Sequence, residues 1–229
     1  MLTATKIATV LSARMASTRL PGKATLPLGG VPMIQFIIER LRDTHYGGKI
    51  ILATTQRADD DVLAHLGATL GIGIFRGADA DVAGRYVAVA REFGLDWIVR
   101  VTGDCPFLDA QSLDHCLAQW QPESGTALWT TKGVFPVGID CELISCAALS
   151  TEWPAMSEEE REHVTLRFYG AEAARLYGRK HFTLPASWGR DSHRYTVDTL
   201  EDYTRACDWV DRLGCRNFSV TDLLNQGSA

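Results

Sequence analysis

Short apolar runs alternate with stretches of helical periodicity along the first half of the chain. Each run has four to six residues and ends in polar or turn-forming residues, which is typical of strands buried on both faces. Alternating strands and helices predict an α/β fold with a mostly parallel sheet covered by helices on both faces. The predicted strands are residues 7–11, 49–54, 73–76 and 97–102, and the predicted helices are residues 32–43, 60–70 and 81–93.

The alternation is looser after residue 106. Ser157 followed by Glu160 has the spacing of a capping box and predicts the start of a long helix. No composition shift marks a boundary, so we predict one domain over residues 1–229. The further predicted elements are helix 109–120, strands 127–131 and 139–144, helix 157–177, strand 194–197 and helix Leu200–Leu213.

Composition and charge restrict the function classes. The chain has 229 residues, 46% hydrophobic and 22% charged, with a net charge of −5. A negative net charge argues against non-specific binding to nucleic acid, which requires a basic face. No apolar run is long enough to cross a membrane, and the N-terminus lacks the apolar segment of a secretory signal. We therefore expect a cytoplasmic protein that binds neither nucleic acid nor a membrane.

One loop concentrates the positive charge. It follows the first predicted strand, and in open α/β sheets ligands collect at the carboxyl ends of strands. Its cations and hydroxyls are donors, so the loop is suited to a polyanion such as a triphosphate. A solvated basic loop is the alternative, and neither a Walker motif nor a Gly-x-Gly-x-x-Gly turn is present. The loop contains Arg14, Ser17, Thr18, Arg19, Pro21, Gly22 and Lys23.

These residues resemble the N-terminal signature of the CMP-sugar-acid synthetases, the CMP-Kdo and acylneuraminate cytidylyltransferases, and most of all the spore coat polysaccharide biosynthesis protein F group. The resemblance covers about residues 7–211. The motifs that carry it are Arg14-Met-Ala-Ser-Thr-Arg-Leu-Pro-Gly-Lys23, Leu28-Gly-Gly-Val-Pro-Met-Ile34, Arg76-Gly, Arg100-Val-Thr-Gly-Asp-Cys-Pro106, Arg161-Glu-His-Val-Thr165 and Thr196-Val-Asp-Thr199.

The resemblance implies a Rossmann-like, nucleotide-diphospho-sugar transferase (GT-A-like) fold. It implies a Mg²⁺-dependent cytidylyltransferase that joins CMP from CTP to a sugar acid and releases pyrophosphate. On this basis about residues 1–106 form the nucleotide-binding half. About residues 107–229 form the acceptor-binding half, which could also supply a homodimer interface. The phosphate and nucleotide contacts implied by the resemblance are Ser12, Ala13, Arg14, Ser17, Thr18, Arg19 and Lys23.

Two aspartates are the implied Mg²⁺ ligands. Asp104 follows a predicted strand after a single glycine, and Asp198 follows another, so both are expected at the sheet edge that carries the basic loop. Mg²⁺ takes one or two protein carboxylates and fills its other positions with phosphate and water. The alternatives are a turn aspartate for Asp104 and a helix N-cap for Asp198. With Lys23 and Arg14, these two residues are the predicted catalytic set.

The base site is less well defined. The resemblance places Thr54, Asp81 and Arg85 near the cytosine. A carboxylate could accept a hydrogen bond from the cytosine amino group, but Asp81 could equally be the N-terminal acid of its helix.

A second group of residues is predicted to bind the acceptor, the sugar acid that receives CMP. Arg161 could bind its carboxylate, and His163 could deprotonate its hydroxyl. The family commonly has Phe-Pro-Asp-Gly where this chain has Val137 in the third place, which leaves the acceptor open. The predicted acceptor contacts are Asp140, Glu142, Arg161 and His163.

Two other functions remain open at this stage. Asp79-Ala-Asp81 has the letters of a glycosyltransferase metal motif, but the basic loop would then be unexplained. A non-catalytic nucleotide-binding protein is the second alternative, and the joint presence of Lys23, Asp104 and Asp198 argues against it. Cys105 beside an acidic residue is a poor nucleophile, because a neighbouring carboxylate raises the pKa of a thiol.

Overall fold

The protein is built on one seven-stranded sheet, seen in a computed structural model that describes residues 5–186, 188 and 193–226. A separate two-stranded hairpin, β2 and β3, follows the basic loop. The strands are β1 Ile7–Ser12, β2 Pro27–Leu28, β3 Val31–Pro32, β4 Lys49–Thr55, β5 Gly73–Gly77, β6 Trp97–Thr102, β7 Thr126–Thr130, β8 Glu142–Ser145 and β9 Gly178–His181.

Helices connect most of these strands. Asp81 caps α3 by accepting the amide of Gly84, and Thr199 and Asp202 form a capping box at the start of α8. The helices are α1 Met33–Leu41, α2 Asp61–Thr69, α3 Val82–Phe93, α4 Ala110–Leu117, α5 Cys146–Glu152, α6 Glu158–His163, α7 Ala173–Leu176, α8 Leu200–Leu213 and α9 Val220–Gln226.

The strand order β5-β4-β1-β6-β8-β7-β9 places the carboxyl ends of four parallel strands at one edge. β1 lies between β4 and β6, and Ser12 at its end pairs in register with Thr102. β8 is antiparallel to both β6 and β7, and β9 pairs parallel with β7. The sheet is therefore mostly parallel, as the alternation predicts.

The core consists of two apolar clusters, one on each face of the sheet. Successive residues of a strand point to opposite faces, so Val10 belongs to one cluster and Leu11 to the other. The cluster around Leu11 receives α1, α4, α8 and α9, and the cluster around Val10 receives α3 and α5. The predicted α/β fold with helices on both faces is confirmed.

The second half departs from the prediction in three places. The predicted strand 139–144 begins only at residue 142, because Ile139 closes a turn by donating its amide to the carbonyl of Pro136. The predicted helix 157–177 ends at His163, since Val164 has a φ of 38° that no α-helix accommodates. Residues 194–197 form no strand and join no sheet. Sequence periodicity also missed the hairpin β2–β3, α5, β9 and α9.

Residues 194–197 are held by loops instead. The amide of Tyr195 donates to the carbonyl of Val137 and the amide of Val197 to that of Asp104, both at 2.8 Å. This segment therefore crosses the carboxyl edge of the sheet. None of the helices in the described residues combines the length and the apolar character that a membrane span needs.

Candidate functional site

A polar cavity of about 290 Å³ opens at the carboxyl edge, beyond the ends of β1 and β6. The basic loop forms one wall, α3 and the end of α6 form another, and the residue-198 segment closes a third side. The lining residues are Ser12, Ala13, Arg14, Ala16, Ser17, Thr18, Arg19, Lys23, Ala24, Val82, Arg85, Arg100, Thr102, Gly103, Asp104, Glu162, His163 and Asp198.

Most of the predicted site residues meet in this lining. It includes the seven predicted loop contacts together with Arg85, Asp104, His163 and Asp198. Their proximity is a structural finding, whereas their roles stay predictions. Five predicted residues lie outside the lining, and they are Thr54, Asp81, Asp140, Glu142 and Arg161.

Lys23 lies at the centre of the site. Its Nζ atom is 3.1 Å from Asp198 Oδ1, 3.6 Å from Asp104 Oδ2 and 2.8 Å from the carbonyl oxygen of Val197. Only 14% of the Lys23 side chain is exposed. The ammonium therefore joins two carboxylates that come from segments 94 residues apart in the chain.

Two further cations form ion pairs with Asp198. Arg19 contacts the same oxygen as Lys23, at 3.1 Å, and Arg194 contacts the other oxygen, at 3.1 Å. The two arginine side chains are 63% and 58% exposed, so solvent screens both pairs and their contribution to stability is small. Sequence reasoning did not identify Arg194, because its contact depends on how loops hold residues 194–197 at the edge of the sheet.

Arg14 joins the basic loop to two other walls. Its guanidinium lies 2.8 Å from Glu162 on α6 and 3.3 Å from Asp79, and it also donates to the Asp79 carbonyl. Glu162 was missed by sequence reasoning. Its position between two predicted acceptor residues, Arg161 and His163, was the available signal.

The end of α6 is set by a strained turn. Val164 is fully buried and has a φ of 38°, a conformation that is rare for a β-branched residue. The turn stops the helix immediately after His163, so that Glu162 and His163 both reach the cavity.

Arg85 braces the loop between β5 and α3. It is 2% exposed, donates to the carbonyls of Ala78 and Asp79, and reaches Ser12 Oγ at 3.2 Å. Its buried Nε has no hydrogen-bond partner among the described residues. Burial lowers the pKa of Arg85 from its ordinary value, although the group stays a cation at neutral pH.

The electrostatics of the β6 edge keep Asp104 ionised. Burial raises the pKa of Asp104, but the Lys23 ammonium and a hydrogen bond from Thr102 outweigh it and leave the pKa below its usual value. Burial and the adjacent Asp104 carboxylate both raise the pKa of the Cys105 thiol. Cys105 is therefore a thiol at neutral pH, in agreement with the weak nucleophile expected from the sequence.

Arg100 is a cavity residue that the sequence analysis did not single out. It is a lone charge within an apolar strand, which was a usable signal. Its Nη1 is 2.8 Å from Glu142 Oε2, directly across the β6–β8 register, and no residue that the structure describes pairs with its buried Nε. Glu142 is 2% exposed and also accepts the hydroxyls of Thr165 and Tyr169.

Three of the other predicted acceptor and base residues have partners inside the protein, whereas the buried Thr54 hydroxyl has none among the described residues. Arg161 pairs with Asp81 at 2.7 Å. Asp140 accepts the amide of Gly138, and burial next to Glu142 raises its pKa above the usual value. Thr54 is fully buried in the sheet.

The carboxylates at the site are potential ligands of a divalent cation. No group of three or more His, Cys, Asp or Glu side chains that could hold a metal occurs in the described part of the chain. Asp104 and Asp198 nevertheless share one cation, Lys23, through a single oxygen each. Two carboxylates suit Mg²⁺ when phosphate oxygens and waters complete its coordination. The residues therefore fit a cation that binds together with a polyphosphate.

Comparisons with known proteins show the family of the chain. Residues 8–181 match the family model described as cytidylyltransferase. The chain is 30% identical to the spore coat polysaccharide biosynthesis protein SpsF of Bacillus subtilis, with 85% of this chain and 82% of that protein covered.

Solved structures give the same picture. A cytidylyltransferase from Leptospira borgpetersenii is 29% identical, with a TM-score of 0.88 over 97% of this chain and 93% of that one. CMP:2-keto-3-deoxy-manno-octonic acid synthetase complexed with CTP is 17% identical, with a TM-score of 0.68 over 91% of this chain and 100% of that one. The latter supports the fold alone.

Proposed function

This chain belongs to the cytidylyltransferase family, and we propose that it uses Mg²⁺ and CTP to attach CMP to a sugar acid or a related surface-polysaccharide precursor. An acceptor hydroxyl oxygen attacks the α-phosphorus, the bond from that phosphorus to the bridging oxygen breaks, and pyrophosphate leaves. The hydroxyl proton passes to a base. The observation that carries the proposal is the convergence of Lys23, Asp104 and Asp198 at the end of β1 and β6.

The charge of the cavity supports a polyphosphate ligand. Five cations and three carboxylates line it, which leaves an excess of two positive charges in a protein whose net charge is −5. A cleft of opposite sign to the protein surface attracts anions and strengthens their binding. The cations are Arg14, Arg19, Lys23, Arg85 and Arg100.

Each wall has a role in this reaction. Lys23 and Arg14 bind phosphate oxygens, and Lys23 stabilises charge that develops on the leaving pyrophosphate. Asp104 and Asp198 hold the Mg²⁺, which supplies charge neutralisation at the phosphates when it is bound. His163 is the candidate general base, because it lines the cavity and an imidazole nitrogen can accept the proton of the acceptor hydroxyl.

Recognition of the cytosine ring is assigned to the loop before α3. Arg85 fixes the carbonyls of Ala78 and Asp79 and touches Ser12, so the loop and the end of β1 form one rigid wall. Rigid backbone donors and acceptors can distinguish cytosine from the other bases by its amino group and ring acceptors. The CTP preference rests on this wall and on the family.

The alternative functions fit the contacts less well. A glycosyltransferase metal motif would require Asp79 and Asp81 to face one cation, but Asp79 pairs with Arg14 and Arg57, and Asp81 pairs with Arg161. A purely nucleotide-binding protein would not need two carboxylates next to the phosphate-binding lysine. Both alternatives remain distinguishable by product analysis.

Pyrophosphate release tests the proposal. The protein is incubated with Mg²⁺, a panel of sugar acids and amino sugars, and each of CTP, ATP, GTP and UTP. We expect pyrophosphate and a CMP-sugar with CTP and at least one acceptor. A clear preference for another triphosphate would refute the choice of base. Hydrolysis or transfer from a nucleotide sugar, without pyrophosphate release from CTP, would support the glycosyltransferase.

Lys23→Ala gives a second test within the same assay. We expect turnover to fall by about two to three orders of magnitude, because an oriented charge at the transition state is lost. Lys132→Ala is the control, since Lys132 lies over the Tyr169 ring and does not line the cavity. Near-normal turnover of Lys23→Ala in a folded protein would remove the basic loop from the mechanism. The predicted homodimer is a separate question, answered by light scattering of the purified protein.

A further inference from the structure

We propose that, in the nucleotide-free protein, the ammonium of Lys23 occupies the place of the divalent cation between Asp104 and Asp198. A metal ion then binds tightly only together with a triphosphate, which accepts Lys23 and frees the two carboxylates. This inference rests on the proposed function and concerns the order in which the site is filled.

The contacts of Lys23 carry the first step. Its Nζ approaches one oxygen of each aspartate, at 3.1 Å and 3.6 Å, and it is the described residue that salt-bridges both of them. A divalent cation that binds these carboxylates would lie next to an ammonium in a partly buried site. Repulsion between the two cations is strong there, because the effective dielectric constant is lower than in water. Metal and ammonium therefore compete for the same two oxygens.

The other cations on Asp198 do not replace Lys23 in this role. Arg19 and Arg194 contact Asp198 but form no described ion pair with Asp104. Their side chains are more than half exposed, so water and salt can take over their charges when they move away. Lys23 has 14% of its side chain exposed and a third bond to the Val197 carbonyl, so it has few alternative partners.

A triphosphate would favour exchange of the Lys23 ammonium for a metal ion at the two carboxylates. Its oxygens accept the Lys23 charge, and they also provide the additional oxygen ligands that a small hard cation needs. Removal of Lys23 from the carboxylates then costs little, and the metal gains ligands at the same time. Binding of the metal and the nucleotide is thereby coupled, and linkage requires that each tightens the other by the same factor.

The test measures Mn²⁺ binding directly, by electron paramagnetic resonance of the free ion, without catalysis. In the wild-type protein without nucleotide we expect weak binding. Lys23→Met removes the ammonium and keeps the aliphatic chain, and we expect it to bind Mn²⁺ roughly tenfold or more tightly without nucleotide. Lys23→Gln, which can still donate to the Val197 carbonyl, is a second variant in case the first one does not fold. Circular dichroism and urea unfolding establish that each variant is folded.

Two further variants separate this effect from a general change of charge. Arg14→Met also removes one cavity cation, but Arg14 pairs with Asp79 and Glu162 and with neither aspartate of the site. We expect its Mn²⁺ affinity to change by less than about threefold, because the lost charge acts only at longer range. Adding Asp198→Asn to Lys23→Met should abolish the gain.

The outcomes decide the proposal unambiguously. Unchanged Mn²⁺ affinity in folded Lys23→Met and Lys23→Gln, or an equal gain in Arg14→Met, would overturn it. Failure of the proposed function has a different signature, because the Mn²⁺ titration uses no nucleotide. In that case Lys23→Met would still tighten Mn²⁺, while CTP would neither bind the wild-type protein nor yield pyrophosphate.

Discussion

Arg161 and Asp81 form an ion pair of 2.7 Å that joins α6 to the start of α3. Asp81 Oδ2 accepts Arg161 and the indole N–H of Trp153, while its Oδ1 caps α3 through the amide of Gly84. Both oxygens of Asp81 are thus used within the protein. This arrangement favours the helix-terminus interpretation over a contact with cytosine, and it gives Arg161 a partner other than an acceptor carboxylate.

Arg161→Met should lower the free energy of unfolding by about 1–2 kcal/mol, because a partly buried charged hydrogen bond is lost. Asp81→Asn should also destabilise the protein while leaving the order of preference among the four triphosphates unchanged. Urea unfolding and pyrophosphate release measure the two effects. Lys180→Met is the control, since its pair with Glu123 is exposed and should contribute less than about 0.5 kcal/mol. A relaxed base preference without loss of stability would instead assign Asp81 to the nucleotide.

Gly138 permits the close contact that brings Asp198 to the site. Its φ is +98°, and a Cβ atom there would lie 2.5 Å from the Tyr195 carbonyl carbon and 2.6 Å from the Thr196 nitrogen. These backbone atoms cannot move without shifting the segment 194–197 that leads to Asp198. We expect Gly138→Ala to destabilise the protein by about 3 kcal/mol or more. CTP binding should weaken as well, which calorimetry would detect.

Gly133→Ala is the matched control for this change. Gly133 also has a positive φ, +87°, but no described atom lies within 4 Å of the position that a Cβ atom would take. Only backbone strain remains, and we expect a cost of about 1 kcal/mol with normal CTP binding. Equal effects of the two substitutions would show that the contact with Tyr195 and Thr196 does not position Asp198.

The part of the site that sequence predicts well is the part encoded by local patterns. The basic loop follows β1 directly, and Asp104 follows β6 after one glycine, so strand ends alone place both at the same edge. Asp198 was predicted to be a site residue from a sequence motif. The strand predicted directly before it, residues 194–197, is not formed. The first half of the fold was predictable for the same reason, because each of its strands pairs parallel with a neighbour across a helix.

The rest depends on contacts between distant segments. Glu162 and Arg14 are 148 residues apart, and their ion pair depends on the turn at Val164. A valine gives no indication in the sequence that its φ is positive. The partners of Glu142 and Arg161 likewise come from other elements, so residue type alone suggested an acceptor where the structure has internal ion pairs. β8 was predicted three residues too long at its start because the apolar residues of 139–141 are buried in a turn.

Asp140 and Asp114 should respond to pH with opposite signs. Burial beside Glu142 raises the pKa of Asp140 above 3.8, so the folded protein retains this proton after the unfolded chain has lost it. Stability from this group therefore falls as the pH rises from about 3.8 through the raised pKa. Asp140→Asn keeps an acceptor for the Gly138 amide and removes the charge, so we expect higher stability at pH 7 and a flatter profile in that window.

Asp114 provides the opposite case. Burial raises the pKa of Asp114, but hydrogen bonds from Thr44, His45 and Tyr46 outweigh it and lower the pKa below 3.8. The stability that it contributes is present above 3.8 and is lost as the pH falls through the lowered pKa. Asp114→Asn should cost about 1–3 kcal/mol at pH 7 and less at low pH. Unfolding curves that move in the same direction for both variants would contradict these assignments.

The pair of Arg100 and Glu142 should be necessary both for the fold and for the cavity. Glu142→Gln leaves a buried guanidinium without its counter-charge, and we expect a loss of about 3–5 kcal/mol. Adding Arg100→Met removes the stranded charge, so the double variant should recover stability, with a coupling energy of about 2 kcal/mol in the double-mutant cycle. Gln at position 142 retains an oxygen for the hydroxyls of Thr165 and Tyr169.

Turnover should not follow stability in this cycle. Arg100 lines the cavity and is one of the five cations that face the proposed polyphosphate, so Arg100→Met removes a ligand-facing charge even when the fold is restored. We expect the double variant to be stable and to release pyrophosphate more slowly than the wild-type protein. Full recovery of turnover would mean that Arg100 acts only as the counter-ion of Glu142. If the double variant recovers no stability, Glu142 acts mainly through its hydrogen bonds with Thr165 and Tyr169. Those two bonds have a charged acceptor in the wild-type protein and only a neutral one in the double variant.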